Sequence, residues 1–132
     1  MLRGVRGATT VNSNEPDDII EKTYELLTLL IDKNGIQPTD VSSVIITVTT
    51  DLNAEFPAKA MRKLKGWTYV PVMCMTEIPV PHALEKCIRV MIHTNTDIPQ
   101  HEIAHMYLHK AKGLRPDLEE ERKRNEMDQT AE

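Results

Sequence analysis

The sequence predicts an α/β (α+β) domain built on one mixed sheet of about five strands, with helices on one face. Three observations carry that expectation. Runs of β-branched residues alternate with stretches whose apolar residues recur at helical spacing, the pattern of layered α/β architecture. At 132 residues, 40% of them apolar and 27% charged, the chain has the size and composition of one globular domain. The link between the third and fourth predicted strands is also too short for a helical crossover, so the strands cannot all run parallel.

The elements follow in order. Leu2–Thr10 reads as the first strand, with Gly4 and Gly7 marking places where a backbone or ligand comes close. Ser13 or Asn14 stands where a helix cap is needed, and Pro16, Asp17 and Asp18 suit a first turn. Ile20, Tyr24, Leu27 and Ile31 then recur at helical spacing, Ile19, Leu26 and Leu30 widen the stripe, and Gly35 ends it. Val41–Thr50 is rich in β-branched residues, and the consecutive Val44, Ile45 and Ile46 predict a central strand covered on both faces. Pro57 begins a short helix closed by Gly66. Trp67–Met75 reads as a strand in which Pro71 predicts an edge position or a bulge. After an irregular link through Pro79 and Pro81, Cys87–Thr94 forms a strand, Pro99–Ala104 a short helix, and Met106–Lys112 a last strand. A sheet with helices on one face leaves the other uncovered, and a closed homo-oligomer supplies the cover.

Charge divides the chain into a body, residues 1–116, and a tail, residues 117–132. The net charge of −4 resides in the tail, which carries seven acids and three bases and reads as a polar, mobile extension. The body is neutral, a poor electrostatic match for nucleic acid, whose binding rests on neutralising phosphates. The longest apolar stretch, around residues 26–31, is far short of the roughly 20 residues of a membrane span. Two cysteines, Cys74 and Cys87, are too few for a disulfide framework, so a cytoplasmic location is expected. The first 14 residues hold Arg3, Arg6 and no acid, faintly like a transit peptide, but their apolar residues and paired threonines read better as a strand.

Covalent, metal and nucleotide chemistry lack support. His101-Glu102-Ile103-Ala104-His105 fits the H-E-x-x-H pattern of zinc peptidases, yet Pro99 starts the helix only two residues earlier. The motif therefore reads as a solvated helix end, with no metal. No nucleophile elbow or phosphate-cradling glycine loop is present, and a lone Cys74 is more often a small apolar residue than a nucleophile. What stands out is charge within apolar strands: Arg6 in the first, Glu77 at the end of the third, Arg89 inside the fourth. One reading is a structural Arg–Glu pair, since an unpaired arginine is costly to bury. The other is a site for a small dicarboxylate gripped by guanidinium forks, with Lys59, Arg62 and Arg115 adding positive charge.

Blocks across residues 3–118 resemble the monofunctional chorismate mutases of the Bacillus type. They are Arg3-Gly4-Val5-Arg6-Gly7-Ala8-Thr9-Thr10, Asp51-Leu52-Asn53-Ala54 with Phe56-Pro57-Ala58-Lys59-Ala60, and Gly66-Trp67 leading to Tyr69-Val70-Pro71-Val72. Cys74-Met75 with Glu77, Lys86-Cys87-Ile88-Arg89-Val90-Met91, Asp97-Ile98-Pro99-Gln100, Tyr107-Leu108 and Leu114-Arg115-Pro116-Asp117-Leu118 follow in the same order. The resemblance implies a homotrimeric pseudo-α/β barrel with active sites between subunits. It also implies the rearrangement of chorismate to prephenate on the route to phenylalanine and tyrosine, without cofactor or covalent intermediate. By resemblance Arg89 donates to the ether oxygen, Arg6 and Tyr107 hold a carboxylate, and Glu77 and Cys74 meet the ring hydroxyl. Met73, Met75 and Thr76 line the pocket, Phe56, Ala58, Lys59 and Arg62 come from the neighbouring subunit, and Leu114 and Arg115 cover the entrance. The alternative is a non-catalytic or imine-processing small-ligand trimer of similar shape.

Overall fold

The structure, a computed structural model, describes residues 1–115. Its strands are β1 (Leu2–Thr10), β2 (Val41–Val48), β3 (Val72–Thr76), β4 (Cys87–Asn95) and β5 (Met106–Tyr107), in the sheet order β3-β2-β4-β1-β5. The sheet is mixed as expected. β4 runs antiparallel to both neighbours, while β2 pairs parallel with β3 and β1 parallel with β5.

One long helix, α1 (Pro16–Asn34), crosses from β1 to β2 and buries Ile19, Leu26, Leu27 and Leu30 against the sheet. Opposite them stand Val5, Val44, Ile46, Ile88, Val90 and Ile92, and together these residues make the main core. Gly7 lets α1 approach: a Cβ there would lie 2.8 Å from the Leu26 Cδ1 and 2.9 Å from the Met106 carbonyl oxygen. Gly35 ends α1 in the left-handed conformation, φ 60°.

Several expectations are corrected. Neither Ser13 nor Asn14 caps α1: the cap position is Glu15, without a side-chain bond. Asp18 reaches back to accept the N–H groups of Asn12 and Ser13 at 2.8 and 3.1 Å, and Asn14 braces the loop at Asn53 and Ala54. The helices after Pro57 and Pro99 are 3₁₀, at Pro57–Lys63 and Gln100–Glu102, the usual form of such short pieces. β3 begins only after Pro71, which has no N–H for the ladder, and is an edge strand. The expected strand Met106–Lys112 stops at Tyr107, and His109–Gly113 turn as a 3₁₀ helix. That turn seats Ala111 over Ala8 and Cys87 on the second sheet face. Elsewhere that face is open, so Ile45 is only half-buried, against the expectation of cover on both sides. The acidic segment 117–132 lies outside the described residues. Among the described residues no helix is long and apolar enough to cross a membrane.

Candidate active site

Register brings the charged strand residues together. Met75, Thr47, Arg89, Ala8 and Tyr107 stand side by side across β3, β2, β4, β1 and β5, and directly opposed residues share a face. Arg6, two residues before Ala8, lies on the same face and is diagonal to Arg89. Arg6, Arg89 and Tyr107 thus surround Ala8 on the side away from α1.

Arg89 Nη1 donates to Glu77 Oε2 at 3.0 Å, both side chains partly open to solvent at 39% and 26%. Glu77 is held by its own N–H, which donates to the Val48 carbonyl at 2.8 Å just past the end of β3. Arg6 Nε donates to the Tyr107 hydroxyl at 3.0 Å. The structural reading of Arg89 holds in part. It is paired, but in an open cleft rather than a sealed core. Two guanidinium groups against one carboxylate leave net positive charge on this face, which suits an anion bearing more than one carboxylate.

A second set of expected residues lies elsewhere. Phe56, Ala58, Lys59, Arg62 and Cys74 line a groove of about 640 Å³ between β3 and the Pro57–Lys63 turn, closed below by Trp67 and Val72. Cys74 is opposite Ile46 on the α1 side of the sheet, and three residues along a strand carry Glu77 to the other side. Within one chain Cys74 and Glu77 therefore do not converge, and the shared role that the resemblance implies needs two chains. Met73 and Met75 point to the open face, 63% and 42% exposed, with Thr76 exposed at the strand end. Lys59 is tied to Glu55 at 2.8 Å, whereas Phe56 is 69% exposed at the groove rim. Leu114 is exposed and Arg115 half-buried after the last 3₁₀ turn.

Neither thiol is poised as a nucleophile. Burial pushes Cys74 up, partly countered by a hydrogen bond with the Ala58 backbone. Burial pushes Cys87 up to about 11, with Arg89 acting in the opposite direction. Among the described residues no three His, Cys, Asp or Glu side chains gather as metal ligands. The reading of residues 101–105 as a solvated helix end holds for His101 but not for His105. His105 is half-buried beside the sheet, and its Nδ1 accepts the Arg6 backbone N–H at 3.0 Å. Its alternation with Tyr107, two residues on, is the one signal in the sequence that sets both beside the same strand.

Comparison with known proteins gives one answer throughout. The profile of the family described as "Chorismate mutase type I" matches residues 2–118. The chain is 52% identical over 118 residues to "Chorismate mutase AroH" of Bacillus subtilis (strain 168), covering 89% of this chain and 93% of that one. It is 47% identical over 120 residues to the protein of the same name from Thermus thermophilus, covering 90% and 98%. A solved structure of a chorismate mutase from Clostridium thermocellum superposes with a TM-score of 0.80 at 52% identity, over 83% of this chain and 97% of that chain.

Proposed function

The chain belongs to the type I chorismate mutase family, and on that premise we propose that it rearranges chorismate to prephenate in a cleft shared between subunits. One subunit supplies Arg6, Tyr107, Glu77 and Arg89, and its neighbour supplies the groove of Phe56, Ala58, Lys59, Arg62 and Cys74. The observation that carries this reading is the Arg89–Glu77 pair at 3.0 Å beside Arg6 and Tyr107 on an uncovered sheet face.

The reaction is an intramolecular Claisen rearrangement. The ether C–O bond breaks while a C–C bond forms, and the ether oxygen ends as a ketone. No proton is transferred and no nucleophile attacks, so catalysis reduces to holding the reactive conformer and stabilising charge that grows in the transition state. Negative charge accumulates on the ether oxygen, where a guanidinium donor binds the transition state more strongly than the ground state. Arg89 fills that role, and Glu77 fixes its fork while facing the electron-poor ring and its hydroxyl. Arg6, oriented by the Tyr107 hydroxyl, grips a carboxylate. The groove residues Lys59, Arg62 and Cys74 meet the remaining polar groups from the other side, with Met73, Met75 and Thr76 along the edge strand and Leu114 and Arg115 near the mouth. A rate gain of about 10⁶ corresponds to about 8 kcal/mol; one desolvated donor supplies roughly 3–4 of these.

The same geometry supports assembly as a homotrimer. Ile45, Met73, Met75 and Met91 leave apolar surface on the open face, and a homotrimer covers it. The two half-sites are on different surfaces of the chain, so their contact is heterologous, the kind that closes into a ring. This biosynthetic role, with Cys74 and Cys87 not joined in a disulfide, favours a cytoplasmic location. Direct ultraviolet assay of chorismate consumption, with prephenate identified as product, tests the activity. A folded protein that leaves chorismate unchanged would refute it.

A further inference from the structure

The last ladder of the sheet is incomplete at Arg6. β1 and β5 pair in parallel with Gly7 opposite Met106 and Ala8 opposite Tyr107, and the Leu108 N–H donates to the Ala8 carbonyl at 2.9 Å. Continued one step back, that register would give the Arg6 N–H to the carbonyl of Ala104. Ala104 is engaged elsewhere. Asn34, the last residue of α1, holds it on both sides: Asn34 Nδ2 donates to the Ala104 carbonyl at 2.9 Å, and the Ala104 N–H donates to Asn34 Oδ1 at 2.8 Å. The Arg6 N–H instead donates to the ring Nδ1 of His105 at 3.0 Å. The same residue's guanidinium donates to Tyr107 at 3.0 Å. Arg6 is thus fixed at its backbone by His105, just before β5, and at its head by Tyr107 within it.

We infer that His105 is a positioning residue for the substrate carboxylate, setting the Arg6 guanidinium through the Arg6 backbone N–H. The role requires the neutral imidazole with its hydrogen on Nε2, because a hydrogen on Nδ1 would meet the N–H head-on. Half-burial of the ring, which disfavours its charged form, agrees with that state. The inference rests on the reading of Arg6 as a carboxylate ligand. Since Arg6 grips the same carboxylate before and during bond rearrangement, misplacing it weakens substrate and transition state alike, which appears in KM more than in kcat.

Four variants of the full-length protein test this: Arg6→Ala, His105→Phe, His105→Asn and the double variant Arg6→Ala/His105→Phe. Phenylalanine keeps the ring volume without an acceptor, and asparagine keeps an acceptor near the Nδ1 position. The expected result is a KM raised about tenfold in His105→Phe with kcat within about threefold, and a KM restored to within about threefold of the parent in His105→Asn. In the Arg6→Ala background, His105→Phe should add no further KM penalty. An unchanged KM in His105→Phe, or an equal penalty with Arg6 already removed, overturns the positioning role and leaves Arg6 as ligand. An unchanged KM in Arg6→Ala overturns the Arg6 reading itself and the inference with it. If His105→Phe does not fold, His105→Asn decides alone: it must keep KM within about threefold, and a tenfold rise sinks the role.

Discussion

Arg89 is aimed by a backbone paired on both sides, with Ala8 and Thr47 opposite it, so its guanidinium is fixed against Glu77 rather than swept through solvent. Lysine at this position keeps the charge and loses the fork. Arg89→Lys should therefore lower kcat by about 10²–10³ while leaving the urea unfolding curve of the assembly unchanged; near-normal turnover would end the assignment of Arg89 to the ether oxygen. The thiols give a second check at this scale. With its pKa pushed up to about 11, Cys87 holds only about a thousandth of its population as thiolate at pH 8. A disulfide reagent at pH 8 should modify it at least a hundredfold more slowly in the native protein than in guanidinium, and equal rates would contradict its burial. Arg6, Glu77 and Arg89 are legible in the sequence because charge inside apolar strands is conspicuous. The odd spacing of Cys74 and Glu77 along the chain sets them on opposite faces of the sheet, so a shared role for the two draws on two subunits. His105 was out of reach, because its role exists only where Asn34, 70 residues away in sequence, takes the ladder position at Ala104.

At the scale of elements, what was legible tracks how much each element depends on its own residues. α1 carries its apolar stripe, its acidic first turn and its terminal glycine within itself, and its extent follows. β5 is two residues long because the chain leaves β1 as soon as His109 turns at φ 54°, a tertiary event that the apolar run of Met106–Leu108 does not encode. The joint between α1 and β1 is close enough to test. Adding a methyl at Gly7 meets Leu26, Leu30 and the Met106 backbone within 3.1 Å, and only the leucine ends can give way. Gly7→Ala should cost roughly 1–3 kcal/mol in urea denaturation, and a neutral change would mean that α1 sits further from the sheet. The start of α1 has a pH signature. Burial raises the Asp18 carboxyl, but hydrogen bonds from Lys22 and from the Ser13 and Asn12 N–H groups outweigh it and hold the group below 3.8. A depressed folded-state pKa contributes stability that is fully present above 3.8 and lost as pH falls through the lower folded value. Asp18→Asn should destabilise the protein by about 1 kcal/mol at pH 7, and by progressively less as the pH drops below 3.8. An unchanged difference at pH 3 would show that the carboxylate charge has no part in it.

For the whole molecule, what matters is that the two proposed half-sites lie on opposite sides of the edge strand. Arg89 and Glu77 belong to the open face, whereas Arg62 belongs to the groove on the α1 side with Cys74. On the proposed reading, an active cleft combines Arg89 of one subunit with Arg62 of the next, because within one chain the two lie on different sides of β3. That arrangement makes a numerical demand on mixed assemblies. Arg89→Ala removes one half-site and Arg62→Glu impairs the other, so each variant alone should be inactive or nearly so. Unfolded together in equal amounts and refolded, they mix at random, and a cleft is intact when its first subunit is the Arg62 variant and its second the Arg89 variant. About one quarter of clefts satisfy both conditions in a ring of heterologous contacts, so activity should recover to about a quarter of the parent's. The refolded material should elute as a trimer, and separate refolding of each variant followed by mixing of intact trimers should recover none. Full activity in a monomeric fraction would refute the shared cleft. Absence of recovery in trimers shown by mass spectrometry to contain both variants would put Arg62 and Arg89 on one chain's site, which would require the Pro57–Lys63 turn to leave its seat against α1.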